Sequence, residues 1–368
     1  MIKAATSIVL GNSATADLAA KAVREAMHKA DISVANSVLL FVTSEFAAAP
    51  QDAIKAAAKA ANSTQIMGCS ASGIFTEDDW VLDAPAVATM VFGGDLHLMQ
   101  PQAAVSQNPL LTLTAPNAIN STWLNNGHLR YGGVSGDAIG QGPFSVWQNA
   151  KGELSGHVEA HISGAAVTTG CSHGLQRLSQ PQPISQTAQF DVFTLNQQPA
   201  LSSLVKAWKF HSKTDSAPPL HMMMAIYADS AEAIMDGKFN QSNIIACDEE
   251  SQSITLAHPL KPGQFLSWYL RDSKISESDM MLMSSRMAEA LHESPKFGLM
   301  FSCLGRGPYF YNGMDRDLEI VKQTFPRMPL LGFYGNGEIA SINGQNQLLP
   351  YSAVLSLFTT PHQSDNAT

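Results

Sequence analysis

Two glycine-framed turns carry the residues of this chain best placed to do chemistry. Gly68-Cys-Ser-Ala-Ser-Gly73 and Gly332-Phe-Tyr-Gly-Asn-Gly337 share the spacing G-x-x-x-x-G. Neither is a phosphate-binding P-loop, which needs Lys and then Ser or Thr after the second glycine. Here Ile74 and Phe75 follow Gly73, and Glu338 follows Gly337. Gly335-Asn-Gly337 opens a string of dinucleotide type, but that fingerprint requires a helix next, and Ser341-Ile-Asn-Gly-Gln-Asn346 does not read as one. Such turns can point backbone N–H groups at an anionic ligand, or simply supply positive φ in a tight turn.

Charged and polar residues stand beside these turns. Arg306 follows an expected strand end, where ligands gather in α/β sheets, and its planar fork suits a carboxylate. Arg271 is a weaker candidate, because Asp272 next to it invites a salt bridge. Glu338 and Asp137 each follow a glycine turn and could meet an ammonium group; for Asp137 a local Asx-turn is the competing reading. Tyr334, Asn336, Ser70, Ser72, Gly73, Gly133 and Ser135 complete the expected lining. Cys69 and Cys303 also follow strands. A thiol enzyme using Cys303 or Cys69 is the alternative function, but no histidine has a motif that supplies a base. His173, within Gly170-Cys-Ser-His-Gly174, carries no site in this reading. The serines miss the G-x-S-x-G elbow. No catalytic residue, metal ligand or cofactor is therefore expected. Met222–Met224 and Met280–Met283 read as core packing.

Composition narrows the classes. The chain has 368 residues, 45% apolar and 14% charged, with net charge −9. It is long enough for two or three domains with sizeable cores. With no basic run and a sequence pI near 5.6, neither nucleic acid nor an anionic membrane surface is an expected partner. The four cysteines are scattered, which suits reduced thiols, and no signal peptide or membrane span is legible. A cytoplasmic location is expected.

The elements that must hold these turns repeat. Near the N-terminus the order is a helix (15–29), a strand (37–42), a helix (51–61), a strand entering Gly68–Gly73, and a closing strand (86–92). Near the C-terminus it is a helix ending near His292 with Met280, Met283, Met287, Ala290 and Leu291 on one face, a strand (297–302), a helix (315–325), a strand entering Gly332–Gly337, and a closing strand (353–358). Helical crossovers imply parallel pairing, while the last strand can return antiparallel. The expected fold class is α/β: two related lobes with mixed β-sheets flanked by helices and an internal pseudo-repeat. Ser179–Thr187 and Ser212–Pro219 read as loops.

Several blocks together resemble the FIST domains. Lys261–Asp272, Gly298–Gly307 and Pro329–Ile339 are similar to the C-terminal FIST domain, as are Gly170–Gly174 and Leu195–Leu201. Gly68–Phe75 and Tyr131–Asp137 are similar to the N-terminal one. The resemblance implies an N-terminal lobe over residues 1–155, a C-terminal lobe over 156–360 and a disordered tail over 361–368. It also implies a sensory module of signal transduction that binds a small ligand such as an amino acid. As this chain has room for no output domain, a separate signalling protein is the implied partner. Its His173 stands where the family more often has proline. The expected site is a cleft between the lobes lined by Gly68–Gly73, Gly132–Asp137, Cys303–Gly307 and Tyr334–Glu338. Arg306 would hold an anionic group there, and Glu338 or Asp137 a cationic one.

Overall fold

The computed structural model describes residues 1–101, 108–137 and 139–361. The chain divides into two compact units, Met1–His173 with Met280–Thr368, and Gly174–Asp279. The expected division between 155 and 156 falls inside the first unit, just before a strand. Of the expected tail, residues 362–368 lie outside the described residues.

In the first unit a run of elements recurs. The first run comprises β1 (Ile2–Leu10), α1 (Ala16–Ala30), β2 (Ser37–Thr43), α2 (Gln51–Ala61), β3 (Ile66–Ala71), β4 (Gly73–Thr76), β5 (Trp80–Leu82) and β6 (Ala86–Gly94). The second comprises β7 (His97–Met99), β8 (Leu110–Thr114), α3 (Ser121–Leu124), β9 (Arg130–Val134), β10 (Val146–Gln148), β11 (Lys151–Gly152) and β12 (His157–Ser163).

The third run opens with β13 (Ala166–Ser172), after which the second unit is inserted. That unit holds β14 (Leu175–Arg177), β15 (Gln182–Ala188), β16 (Asp191–Leu195), β17 (Gln198–Pro199), α4 (Ala200–Ser212), β18 (Met223–Ala228), α5 (Ala231–Met235), β19 (Asn240–Asp248), β20 (Ser253–Leu256) and β21 (Phe265–Arg271). The third run resumes within α6 (Ser273–Ala290), whose residues up to Asp279 belong to the second unit, and continues with β22 (Phe297–Cys303), α7 (Arg316–Thr324), β23 (Leu330–Gly335), β24 (Glu338–Ile342), β25 (Gln345–Leu349) and β26 (Ala353–Thr359).

The three runs build three six-stranded sheets of one design. Their orders are β1-β6-β2-β3-β10-β11, β7-β12-β8-β9-β24-β25 and β13-β26-β22-β23-β4-β5. Each is centred on a parallel pair, β2/β3, β8/β9 or β22/β23, with antiparallel neighbours outside it. The strand after each parallel pair leaves its own sheet. Thus β4 pairs with β23, β10 with β3, and β24 with β9. The three runs exchange strands in a ring.

The mixed sheets, the helices on their faces and the pseudo-repeat agree with the expected α/β class. Gly68 pairs with Leu40 in the first sheet as Gly332 does with Met300 in the third, so the two glycine-framed segments occupy equivalent register; their first four residues, expected as turn, are strand in β3 and β23. The shorter run from β7 to β12 is a third copy that periodicity did not reveal.

Strand sequences follow from burial on both faces. In β2, Leu39 and Phe41 face a core shared by all three sheets, while Leu40 and Val42 face α1 and α2. A strand covered on both sides reads as a continuous apolar run. The shared core also takes Leu111 and Leu113 from the second sheet and Phe301 and Phe333 from the third. The Phe41 ring meets Phe333 edge-on at 4.9 Å. On the outside of the third sheet, Met280, Met283 and Met287 of α6 pack with Leu318 and Val321 of α7. Ala290, expected on the same stripe, is exposed.

The second unit is all-antiparallel. Its strands run β21-β15-β16-β20-β19-β18, and β18 pairs back onto β21, so they close on themselves. Trp268 and Leu204 of α4 lie in its core. The segment expected as a loop over Ser179–Thr187 contains β15. Only Ile184 of that strand is buried, and its pairing with β16 shifts register twice, so no alternating pattern marked it.

Candidate functional site

The three parallel pairs end at Thr43 and Ala71, Thr114 and Val134, and Cys303 and Gly335. The turns that follow β3, β9 and β23 cross to a neighbouring sheet and hydrogen-bond there. Ser72 N–H donates to the Tyr334 carbonyl at 3.0 Å, and Asn336 N–H to the Val134 carbonyl at 3.0 Å. Ser135 Oγ donates to the Ser70 carbonyl at 2.6 Å, and Ser70 Oγ accepts from Ser145 N–H at 3.0 Å. Cys303 N–H, at the end of β22, donates to the Ser352 carbonyl at 3.1 Å. The segments Gly68–Gly73, Gly132–Asp137, Cys303–Gly307 and Tyr334–Glu338 therefore all belong to the strand ends of the first unit.

Close crossing explains two of the glycines. A Cβ on Gly335 would stand 2.0 Å from the Val134 carbonyl oxygen, and Gly337 has φ +141°. No residue but glycine fits the first position or relaxes at the second.

The candidate side chains take different places. Arg306, which is 1% exposed, is committed inside the unit. Its Nε donates to Asp317 Oδ2 at 2.7 Å and its Nη2 to Asp317 Oδ1 at 3.2 Å. Nη1 donates to the Ser172 carbonyl at 2.8 Å and Nη2 to Ser172 Oγ at 2.7 Å. Tyr311 O–H donates to Asp317 at 2.9 Å. Next to this pair Tyr334 O–H donates to Asp315, which also caps α7 by accepting from Leu318 N–H at 2.9 Å. Burial and the neighbouring Asp317 push the Asp315 carboxyl up to about 6. Sequence reasoning did not find this network. Its only signal was Asp315 ahead of an amphipathic run, the mark of an N-cap.

Asp137 orders its own loop, accepting from Gly140 N–H and, at 2.8 Å, from Gly142 N–H. Gly133 pairs with Glu338 across β9 and β24. Arg271 lies in the second unit, where its Nη1 donates to the His221 carbonyl at 3.2 Å. Cys69 lies in the shared core, and burial pushes its thiol well above the usual range. Cys303 is buried at the end of β22.

Two polar atoms at the strand ends stand out. Glu338 is fully buried; its Oε2 accepts from Ser352 N–H at 3.2 Å, and its Oε1 has no hydrogen-bond partner. Burial raises its carboxyl well above the ordinary value, against the opposing effects of the Ser352 N–H and the Arg306 charge. Ser72 Oγ is also buried without a partner. A methyl group on Gly136 would lie 2.8 Å from Ser72 Oγ and 3.1 Å from the Asn336 side-chain oxygen, so these groups are neighbours. Among the described residues no group of three His, Cys, Asp or Glu side chains could hold a metal ion. No helix among them is long and apolar enough to cross a membrane.

Residues 201–341, from α4 into β24, match the FIST C domain. An uncharacterized protein of Mycobacterium tuberculosis strain H37Rv is 23% identical over 324 residues, 80% of this chain and 83% of that protein. An uncharacterized protein of Mycobacterium bovis is 25% identical over 266 residues, 72% of this chain and 67% of that protein. Human F-box only protein 22 is 36% identical over 69 residues, 18% of this chain and 16% of that protein. The match covers the C-terminal kind of FIST domain; the N-terminal kind rests on the motifs given above.

Proposed function

We propose that the chain is a sensory protein of signal transduction that binds a small polar metabolite, an amino acid by preference, where the three crossing turns meet. The observation that carries this reading is the pair of buried, unpartnered polar atoms, Ser72 Oγ and Glu338 Oε1. A buried polar group without a partner costs about 1–3 kcal/mol, which a ligand can relieve. The FIST C match supports the sensory role. In this reading Glu338 meets the ligand's ammonium group. Since burial favours the neutral acid, binding a cation there draws off its proton. Ser72 and Asn336 take the ligand's acceptors. Arg306 supports the site by fixing Asp317 and Ser172, and Asp137 by ordering its loop. The protein binds without turnover, in the cytoplasm, and passes its signal to a separate output protein. Neither nucleic acid nor membrane takes part. A thiol enzyme using Cys69 has the burial of that thiol against it.

The test is a thermal-shift screen against amino acids and related metabolites, since a ligand selective for the folded state raises the midpoint. Calorimetry then compares variants. Glu338→Gln should weaken binding of an amine ligand by about 1.5–3 kcal/mol and Ser72→Ala by about 0.5–1.5 kcal/mol. A hit whose affinity neither variant changes would move the site elsewhere.

A further inference from the structure

Cys171 is the last residue but one of β13, and His173 follows the strand directly. Cys171 Sγ lies 3.8 Å from His173 Nε2. On the other side of the ring, Ser352 Oγ is 3.3 Å from His173 Nδ1, and it donates to the Pro350 carbonyl at 3.3 Å. That carbonyl can only accept, so the single hydroxyl proton of Ser352 is spent on it. That arrangement favours the tautomer in which Nδ1 carries the ring proton and donates to Ser352 Oγ. Nε2 is left with its lone pair toward the Cys171 thiol. A thiol, a base within reach and a third group orienting the base are the parts of an activated nucleophile. Cys171 is half-buried, unlike the sealed Cys69.

We propose that Cys171 is a nucleophile activated by His173, which accepts an acyl group from a small activated ester or thioester. In the step, the thiol proton passes to Nε2 while sulfur bonds to the carbonyl carbon. The bond from that carbon to the alcohol or thiol leaving group breaks, and the leaving group takes the proton from His173. The product is a thioester on Cys171. No oxidant, metal or further reactant is needed. This chemistry stands apart from the binding reading above and does not require the ligand to be an amino acid.

The exposed Cys247 supplies an internal control. The full-length chain is treated at neutral pH with p-nitrophenyl acetate, and acetylation of each cysteine is followed by peptide mapping. Cys171 should be acetylated ahead of Cys247 despite its lower exposure. His173→Gln should slow Cys171 by on the order of 100-fold, the scale of a lost general base, and leave Cys247 unchanged. Cys247 leading in the unaltered protein would overturn the proposal, and that comparison needs no variant to fold. A Cys171 rate unchanged in His173→Gln would overturn it as well.

Discussion

Replacing Arg306 separates two roles that sequence alone leaves open. Arg306 and Asp317 are 1% and 0% exposed, joined at 2.7 Å, and the guanidinium also holds the end of β13 through Ser172. Arg306→Ala would leave the Asp317 carboxylate buried, with Tyr311 still donating to it. Breaking a buried pair from one side costs about 3–5 kcal/mol. At about 2–4 °C per kcal/mol for a body of this size, the melting midpoint should fall by about 6–20 °C. Replacing both partners removes the uncompensated charge, so Arg306→Met with Asp317→Leu should recover part of the loss, the remainder coming from the Tyr311 O–H and the Ser172 carbonyl, which lose these partners. The assay is thermal unfolding of the two single variants and the double variant, without ligand, followed by circular dichroism. Non-additivity of at least about 2 kcal/mol is expected for groups in direct contact. A loss below about 1 kcal/mol for Arg306→Ala would refute the argument and return Arg306 to the candidates for ligand contact.

Three further outcomes follow from the geometry. Asp315, raised from 3.8 to about 6, takes up its proton more readily folded than unfolded, so its contribution to stability falls as pH rises through that interval. Asp315→Asn keeps the cap and the acceptor for Tyr334; it should be more stable than the parent by up to about 3 kcal/mol at pH 8, with the gap closing toward pH 4, as read from urea midpoints at each pH. An equal gap at both would count against it. Gly335→Ala drives a methyl into the Val134 carbonyl and should destabilise by at least about 2–3 kcal/mol, whereas Gly152→Ala meets open space and should be near neutral in the same unfolding assay. Glu338, raised by burial, likewise favours the folded state more as pH falls; Glu338→Gln should flatten that slope, and a parent and variant with the same pH profile would show that the carboxyl titrates normally.

The doubly covered strands and their helices were legible because burial writes itself into sequence. Val38–Val42 within β2 is a continuous apolar run, and Gln51–Ala61 has a clear apolar face. The second copy was not legible because its parts are short: α3 has four residues, and β10 and β11 have three and two. β1 escaped because Lys3, Thr6 and Ser7 break its pattern, although Thr6 and Ser7 are buried and reach Glu77 and Glu25. The two glycine-framed segments do come together, but they are strand over Gly68–Ala71 and Gly332–Gly335, and the chain turns only at Ser72 and at Asn336–Gly337. What the turns do was harder to read: at Gly335 the missing side chain makes room for another strand's carbonyl. Arg306 looked like an anion anchor because its partner Asp317 lies on a different element. Cys171 and His173 needed Ser352, far along the chain, before the imidazole had an orientation.

The exchange of strands among the three runs governs how this chain can be made and cut. In a linear repeat array each module rests on its neighbours, and one can be removed from an end. Here the ring has no end. Gly73–Thr76 is made long before its partner strand Leu330–Gly335. Until then β4 is an apolar segment with an unpaired edge, which invites pairing with another copy. Contacts this distant in sequence also slow folding. Truncation after any one run should therefore yield an aggregation-prone fragment, with one sheet short of a strand and one strand short of a sheet. The antiparallel unit over Gly174–Asp279 enters after β13 and ends within α6, so in sequence it interrupts none of the exchanged strands and its size can change without opening the ring.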